Sequence, residues 1–157
     1  MLLMADADHQ SADQIVGAGR RRKGDKLSGP QLRARLGNTV FNPLRGIFLV
    51  RDSLSVLSQA QIDRLTLLQR HLQAKQDTIW APIVAWIDLL PEVYDRQEVV
   101  VRVRDGRIAA YDAMVDAMAE LSKILTPEQI ADFPPALRSS FDLESLRANR
   151  PTKGVFA

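Results

Sequence analysis

From Ile79 to Leu90 the chain reads Ile-Trp-Ala-Pro-Ile-Val-Ala-Trp-Ile-Asp-Leu-Leu. On a helix, Trp80, Val84 and Ile87 share one stripe, and Ile79, Ile83, Trp86 and Leu90 share another. A helix that is apolar on two faces has to bury both. A single antiparallel neighbour covers only one of them. The run is interrupted by Pro82 and Asp88 and falls short of the roughly 20 apolar residues that span a bilayer. Tryptophan is favoured at binding hot spots and at membrane–water interfaces. Ile79, Trp80, Ile83, Trp86 and Ile87 are therefore the candidate partner-binding residues. The competing arrangement folds Phe41, Phe48 and Phe133 over the stretch within the monomer.

This stretch belongs to a longer helical pattern. A helix is expected from Ser58 to about Pro91, with an apolar stripe of Ile62, Leu65, Leu68, Leu72, Ile79, Ile83, Trp86 and Leu90. The stripe breaks around Lys75 and Gln76, and Pro82 should kink the helix by removing a backbone donor. A second long helix is expected over 96–125, with Val100, Val103, Arg107, Tyr111, Met114, Met118, Leu121 and Leu125 on one face. For 99–110 a β-hairpin competes, because Asp105-Gly106 between apolar residues is a hairpin signal. Helix is preferred, since the run Ala109 to Lys123 is rich in strong helix formers. Gly106 then costs about 1 kcal/mol relative to alanine. Asn42-Pro43 is a good helix start, an N-cap followed by a proline at the first position. A short helix should run from there to about Val56. After Pro134-Pro135, another short helix is expected over Leu143 to Ala148.

Residues 1–40 read as a flexible basic tail. They hold Gly17, Gly19, Gly24, Gly29, Pro30 and Gly37 and show no sustained apolar period. Arg20, Arg21, Arg22, Lys23 and Lys26 form a basic cluster suited to an anionic surface, either lipid headgroups or an acidic partner. Near an anionic membrane such charges gain about 1 kcal/mol each. Nucleic acid is a poor fit, because no aromatic side chain is interleaved with them. The ordered domain is expected over 41–150, with a loose C-terminus at 151–157. Met1-Leu2-Leu3-Met4 turns polar well before the about 7–15 apolar residues of a secretory signal, so none is visible.

Two segments share one local design: Leu57-Ser58-Gln59-Ala60-Gln61-Ile62 and Leu125-Thr126-Pro127-Glu128-Gln129-Ile130. A hydroxyl residue sits at the N-cap and a glutamine three places on, the spacing of a capping box. A leucine before the cap and an isoleucine four after it have the spacing of a hydrophobic staple. Ser58, Gln61, Thr126 and Gln129 should thus fix where the chain turns, each cap being worth about 1 kcal/mol. Neither copy holds a nucleophile beside a base.

Leu57-Ser58-x-x-Gln61 and Leu125-Thr126-x-x-Gln129 resemble the paired LTxxQ motifs of the Spy/CpxP-type envelope proteins. The second copy matches fully, and the first carries Ser for Thr. The resemblance covers roughly residues 44–141. It implies a small, all-helical, cysteine-poor periplasmic protein, built as a cradle-like dimer of long helical hairpins. It also implies an ATP-independent chaperone or a stress-signalling inhibitor, with relatives that sense metals.

Composition removes most other chemistry. At 157 residues the chain is one domain, and 21 basic against 19 acidic residues leave a formal charge of +2. That balance does not fit a nucleic-acid binder. With no cysteine, disulfides and thiolate chemistry are excluded. His71 and His9 are the only histidines and lie far apart in sequence, so no metal site is expected. Asp112, Asp116 and Glu120 recur every four residues and read as a solvated acidic face. No phosphate loop or nucleophile elbow is present.

The sequence thus predicts an all-α domain, a long antiparallel helical hairpin with short flanking helices, elongated and open to dimerisation. Its expected function is binding rather than catalysis, without cofactor: an envelope protein engaging exposed hydrophobic segments of protein clients. The alternative is a membrane-extrinsic scaffold subunit docked on a fixed membrane-protein partner.

Overall fold

The computed structural model describes residues 20–22, 29–40, 42–49 and 57–151. Its elements are strand β1 (Arg20–Arg22), helices α1 (Gly29–Gly37), α2 (Pro43–Leu49) and α3 (Gln59–Asp88), strand β2 (Val93–Asp95), and helices α4 (Arg96–Ile124), α5 (Pro127–Ala131), α6 (Pro135–Arg138) and α7 (Leu143–Ala148). A 3-10 turn, Ser139–Phe141, separates α6 from α7. The domain is therefore all-α apart from two three-residue strands, which pair antiparallel with Arg20 opposite Asp95 and Arg22 opposite Val93.

α3 and α4 are the long elements, with 30 and 29 residues. At 1.5 Å per residue each runs for about 45 Å. They pack along one another. Gln61 in the first turn of α3 bonds to the carbonyl of Ile124 at the end of α4. Further along, Gly106 of α4 lies against Trp80 and Ile83 of α3. α3 continues through Pro82, whose ring is exposed. Region 99–110 is helical rather than a hairpin, and Asp95 caps it by accepting from the Gln97 N–H at 2.9 Å. Asn42 caps α2 as its sequence suggested, accepting from the Arg45 N–H at 3.2 Å.

The core falls into two clusters. One gathers Leu44 and Ile47 of α2, Leu65 and Leu72 of α3, and Met114, Met118 and Leu121 of α4, with Phe133 beyond α5. The other gathers Trp80 and Ile87 of α3, Tyr94 of β2, Val99, Val103 and Ala110 of α4, and Leu32, Leu36 and Val40. Ile79 and Tyr111 pack against both.

The second cluster differs from the sequence reading. Residues 29–40, read as tail, are helical from Gly29 to Gly37 and supply three apolar side chains to the core. Leu32 and Leu36 lie four apart on one face of α1, and Val40 follows in the turn after it. Two glycines and a proline mask so short a period. The rest of 1–28, apart from β1, lies outside the described residues, as do Phe41, the expected end of α2 toward Val56, and most of the C-terminus at 151–157.

The expected α3 stripe holds at Leu65 and Leu72 and moves by one position after Leu72, from Ile79 and Trp86 to Trp80 and Ile87. Its buried members are Leu65, Leu72, Gln76, Trp80 and Ile87, so the apparent break at Gln76 is inside the packed face. Ile79, Ile83 and Trp86 lie at its border, half-buried.

Candidate functional site

The two capping motifs come together where the start of α3 meets the end of α4. Each box is complete. Ser58 Oγ accepts from the Gln61 N–H at 3.1 Å, and the Ser58 N–H donates to Gln61 Oε1 at 2.9 Å. Thr126 Oγ1 accepts from the Gln129 N–H at 3.2 Å, and the Thr126 N–H donates to Gln129 Oε1 at 2.9 Å. Each glutamine oxygen is thereby fixed, and its amide nitrogen reaches across. Gln61 Nε2 donates to Gln129 Oε1 at 2.8 Å, and Gln129 Nε2 donates to Gln61 Oε1 at 3.0 Å. Gln61 Nε2 also reaches the Ile124 carbonyl at 3.0 Å, one of the carbonyls that a helix end leaves without an internal partner.

The result is a reciprocal amide pair joining residues 68 positions apart in sequence. Each glutamine satisfies its own helix start and ties it to the other motif. The staple residues sit at the same junction: Leu125 is buried, and Leu57 and Ile130 pack against the first core cluster. The capping boxes were legible in the sequence. The pairing between them was not, because it depends on how α3 and α4 are placed.

The five candidate partner-binding residues divide. Trp80 is 1% exposed and Ile87 is 2% exposed, both enclosed by the chain itself. Ile79, Ile83 and Trp86 are half-buried. Among the described residues the cover over this stretch is α1; Phe133, one of the three phenylalanines expected there, packs instead in the other cluster, stacked on Phe141 with ring centres 5.7 Å apart, and Phe41 and the Phe48 side chain lie outside the described residues. The Trp86 ring carries the Arg102 guanidinium at 4.4 Å from its centre, a cation–π contact. Apolar surface does remain at the end of α3, where Leu89 is 85% exposed and Val93 of β2 is 46% exposed.

Gly106 explains why this end packs so closely. A Cβ there would lie 2.5 Å from Ile83 Cδ1 and 2.7 Å from Trp80 Cζ3. The absence of a side chain lets the indole ring lie against the α4 backbone.

In the basic cluster, Arg20, Arg21 and Arg22 form β1 and pair with Val93–Asp95, whereas Lys23 and Lys26 lie outside the described residues. The acidic series on α4 is engaged locally. Asp112 receives two bonds from Arg150, Nε at 2.7 Å and Nη2 at 2.8 Å. Asp116 faces Lys75 at 3.9 Å, and Glu120 faces Lys123 at 3.1 Å. The Arg150 bonds hold the Asp112 carboxyl below its ordinary range. Beside it, Tyr111 donates its hydroxyl to the Leu146 carbonyl at 2.6 Å, and burial pushes its phenol upward. These contacts dock α7 and the following residues onto α4. His71 is exposed on α3, and no group of three or more His, Asp or Glu side chains among the described residues is placed to hold a metal. No described helix is long and apolar enough to cross a membrane. Comparison with family models, with curated proteins and with solved structures finds no match to this chain.

Proposed function

We propose that the chain is a non-enzymatic envelope protein of the LTxxQ type, an elongated antiparallel helical hairpin that binds exposed hydrophobic segments of other proteins without ATP. The observation that carries this reading is the junction of the two motifs. Both hydroxyl–glutamine pairs are used for capping, and the glutamines then bond to each other. Their side chains are committed to holding two helix ends together, which is the work of a scaffold that presents a surface. The surface with the right chemistry lies at the opposite end of the long helices. There Trp86, Leu89 and Val93 offer apolar area beside Arg102, an apolar patch with a charged border.

The test is suppression of aggregation. An unrelated enzyme unfolding at elevated temperature should scatter less light when the purified chain is present in equal amount, with no nucleotide added. Trp86→Asp should remove this effect more than it lowers helicity in circular dichroism. A chain that leaves scattering unchanged, and that co-purifies from its source with one partner in fixed ratio, is instead a membrane-extrinsic scaffold subunit.

A further inference from the structure

We propose that the α3–α4 face beneath α1 is a helix-binding groove, filled in cis by α1 and open in trans to a short amphipathic helix of the same pattern. The inference deepens the binding function proposed above and rests on it. α1 shows what fits. Gly29 lies beside Val84, with its Cβ position 3.8 Å from Val84 Cγ1, and Arg33 pairs with Asp77 at 2.6 Å. α1 therefore runs along α3 in the opposite direction. Its leucines, four apart, enter the cluster of Trp80, Ile87, Val99 and Val103. The groove selects a helix with leucines at i and i+4 and an arginine at i+1, the pattern of Leu32, Leu36 and Arg33.

Three observations make α1 an exchangeable occupant rather than a fixed part of the core. It has nine residues, fewer than the about 12–15 that a helix needs to persist alone in water, so its helicity depends on docking. Its anchors are shallow: Leu32 keeps 8% and Leu36 7% exposure, whereas Leu65, Met114 and Leu121 of the other cluster keep none. Two polar ties of this segment lie at the surface, Arg33 to Asp77 and, just past α1, the Thr39 carbonyl accepting from Arg107 Nη2 at 3.2 Å. Exposed pairs of this kind are weak and salt-sensitive.

The test uses the full chain and a fluorescent peptide of the sequence of residues 29–40. Arg33→Asp sets two carboxylates against each other in cis but leaves Asp77 available to the arginine of the peptide. This variant should bind the peptide about fivefold more tightly than the unaltered chain. A second variant, Gly29→Cys with Val84→Cys, adds the only two cysteines in a chain that has none. Reduced, it should bind the peptide; oxidised, with α1 locked down, it should not. Equal binding in the two redox states overturns the groove, as does an Arg33→Asp chain, still helical, that gains no affinity. An oxidised product that is a disulfide-linked dimer overturns the cis arrangement by placing α1 in a neighbouring copy. Aggregation suppression that persists in the oxidised form removes the groove and keeps the general binding function. Peptide capture by a chain that never suppresses aggregation does the reverse.

Discussion

The two ends of the α3–α4 pair are built on different principles. At the motif end, a buried apolar cluster lies beneath a set of reciprocal hydrogen bonds. The amide groups there act as donor and acceptor at once. At the tryptophan end the core holds Trp80 and Tyr94, and its described cover is one short helix and the turn after it, which supply Leu32, Leu36 and Val40 together with the surface pair of Arg33 and Asp77. Hydrogen bonds close the first end with fixed geometry. Apolar contact closes the second, and such contact has little directionality. A chain that must keep its shape while exchanging what covers one surface needs both kinds of end.

The comparison can be broken at several points. The largest effect is expected from Trp80→Ala, which empties a fully enclosed site and should cost about 3–5 kcal/mol in chemical denaturation. A loss below about 1 kcal/mol would mean that α1 does not seal the ring. Gly106→Ala should follow. The new Cβ overlaps the indole ring, so a substitution that would add about 1 kcal/mol in an open helix should instead cost about 1–3 kcal/mol. Gln61→Ala and Gln129→Ala should each cost about 1–2 kcal/mol. Their double mutant should lose less than the sum, with a coupling of about 0.5–1.5 kcal/mol. Strict additivity would show that the two boxes act separately.

The smallest effect concerns acid. The folded-state pKa of Asp112 lies below its ordinary value because Arg150 bonds the ionised form. Its contribution is therefore present above the unfolded-state pKa and fades as pH falls through the lowered folded value. Arg150→Ala should narrow the gap in melting temperature between neutral and acid pH, with only a slight change at neutral pH because the pair is exposed. An unchanged pH profile would mean that α7 is held by Tyr111 and its apolar neighbours alone.

What the sequence disclosed follows the range of each interaction. The capping boxes, the Asn42 cap and the Leu143–Ala148 helix depend on residues within four positions, and each is present where the local pattern placed it. The same holds for the helical state of 96–124, where strong helix formers outweigh Asp105-Gly106. The meaning of Gly106 was hidden, since a glycine that admits an indole from another helix looks in sequence like a turn signal. The glutamine pair was hidden for the same reason: it joins positions 61 and 129. α1 was hidden by composition, because a helix of nine residues bounded by glycines forms only against a surface that the sequence does not show beside it. That omission made the tryptophan stretch look more exposed than it is.

Residue-resolved hydrogen exchange on the intact chain tests the central contrast most directly. Amides of α4 around Met114 to Leu121, and those bound to the Ser58 and Thr126 caps, should exchange near the rate set by global unfolding. Amides of α1 should exchange orders of magnitude faster, by local opening while the rest stays folded. Exchange of α1 and α4 at one common rate would contradict the account, because the two ends would then be a single cooperative unit.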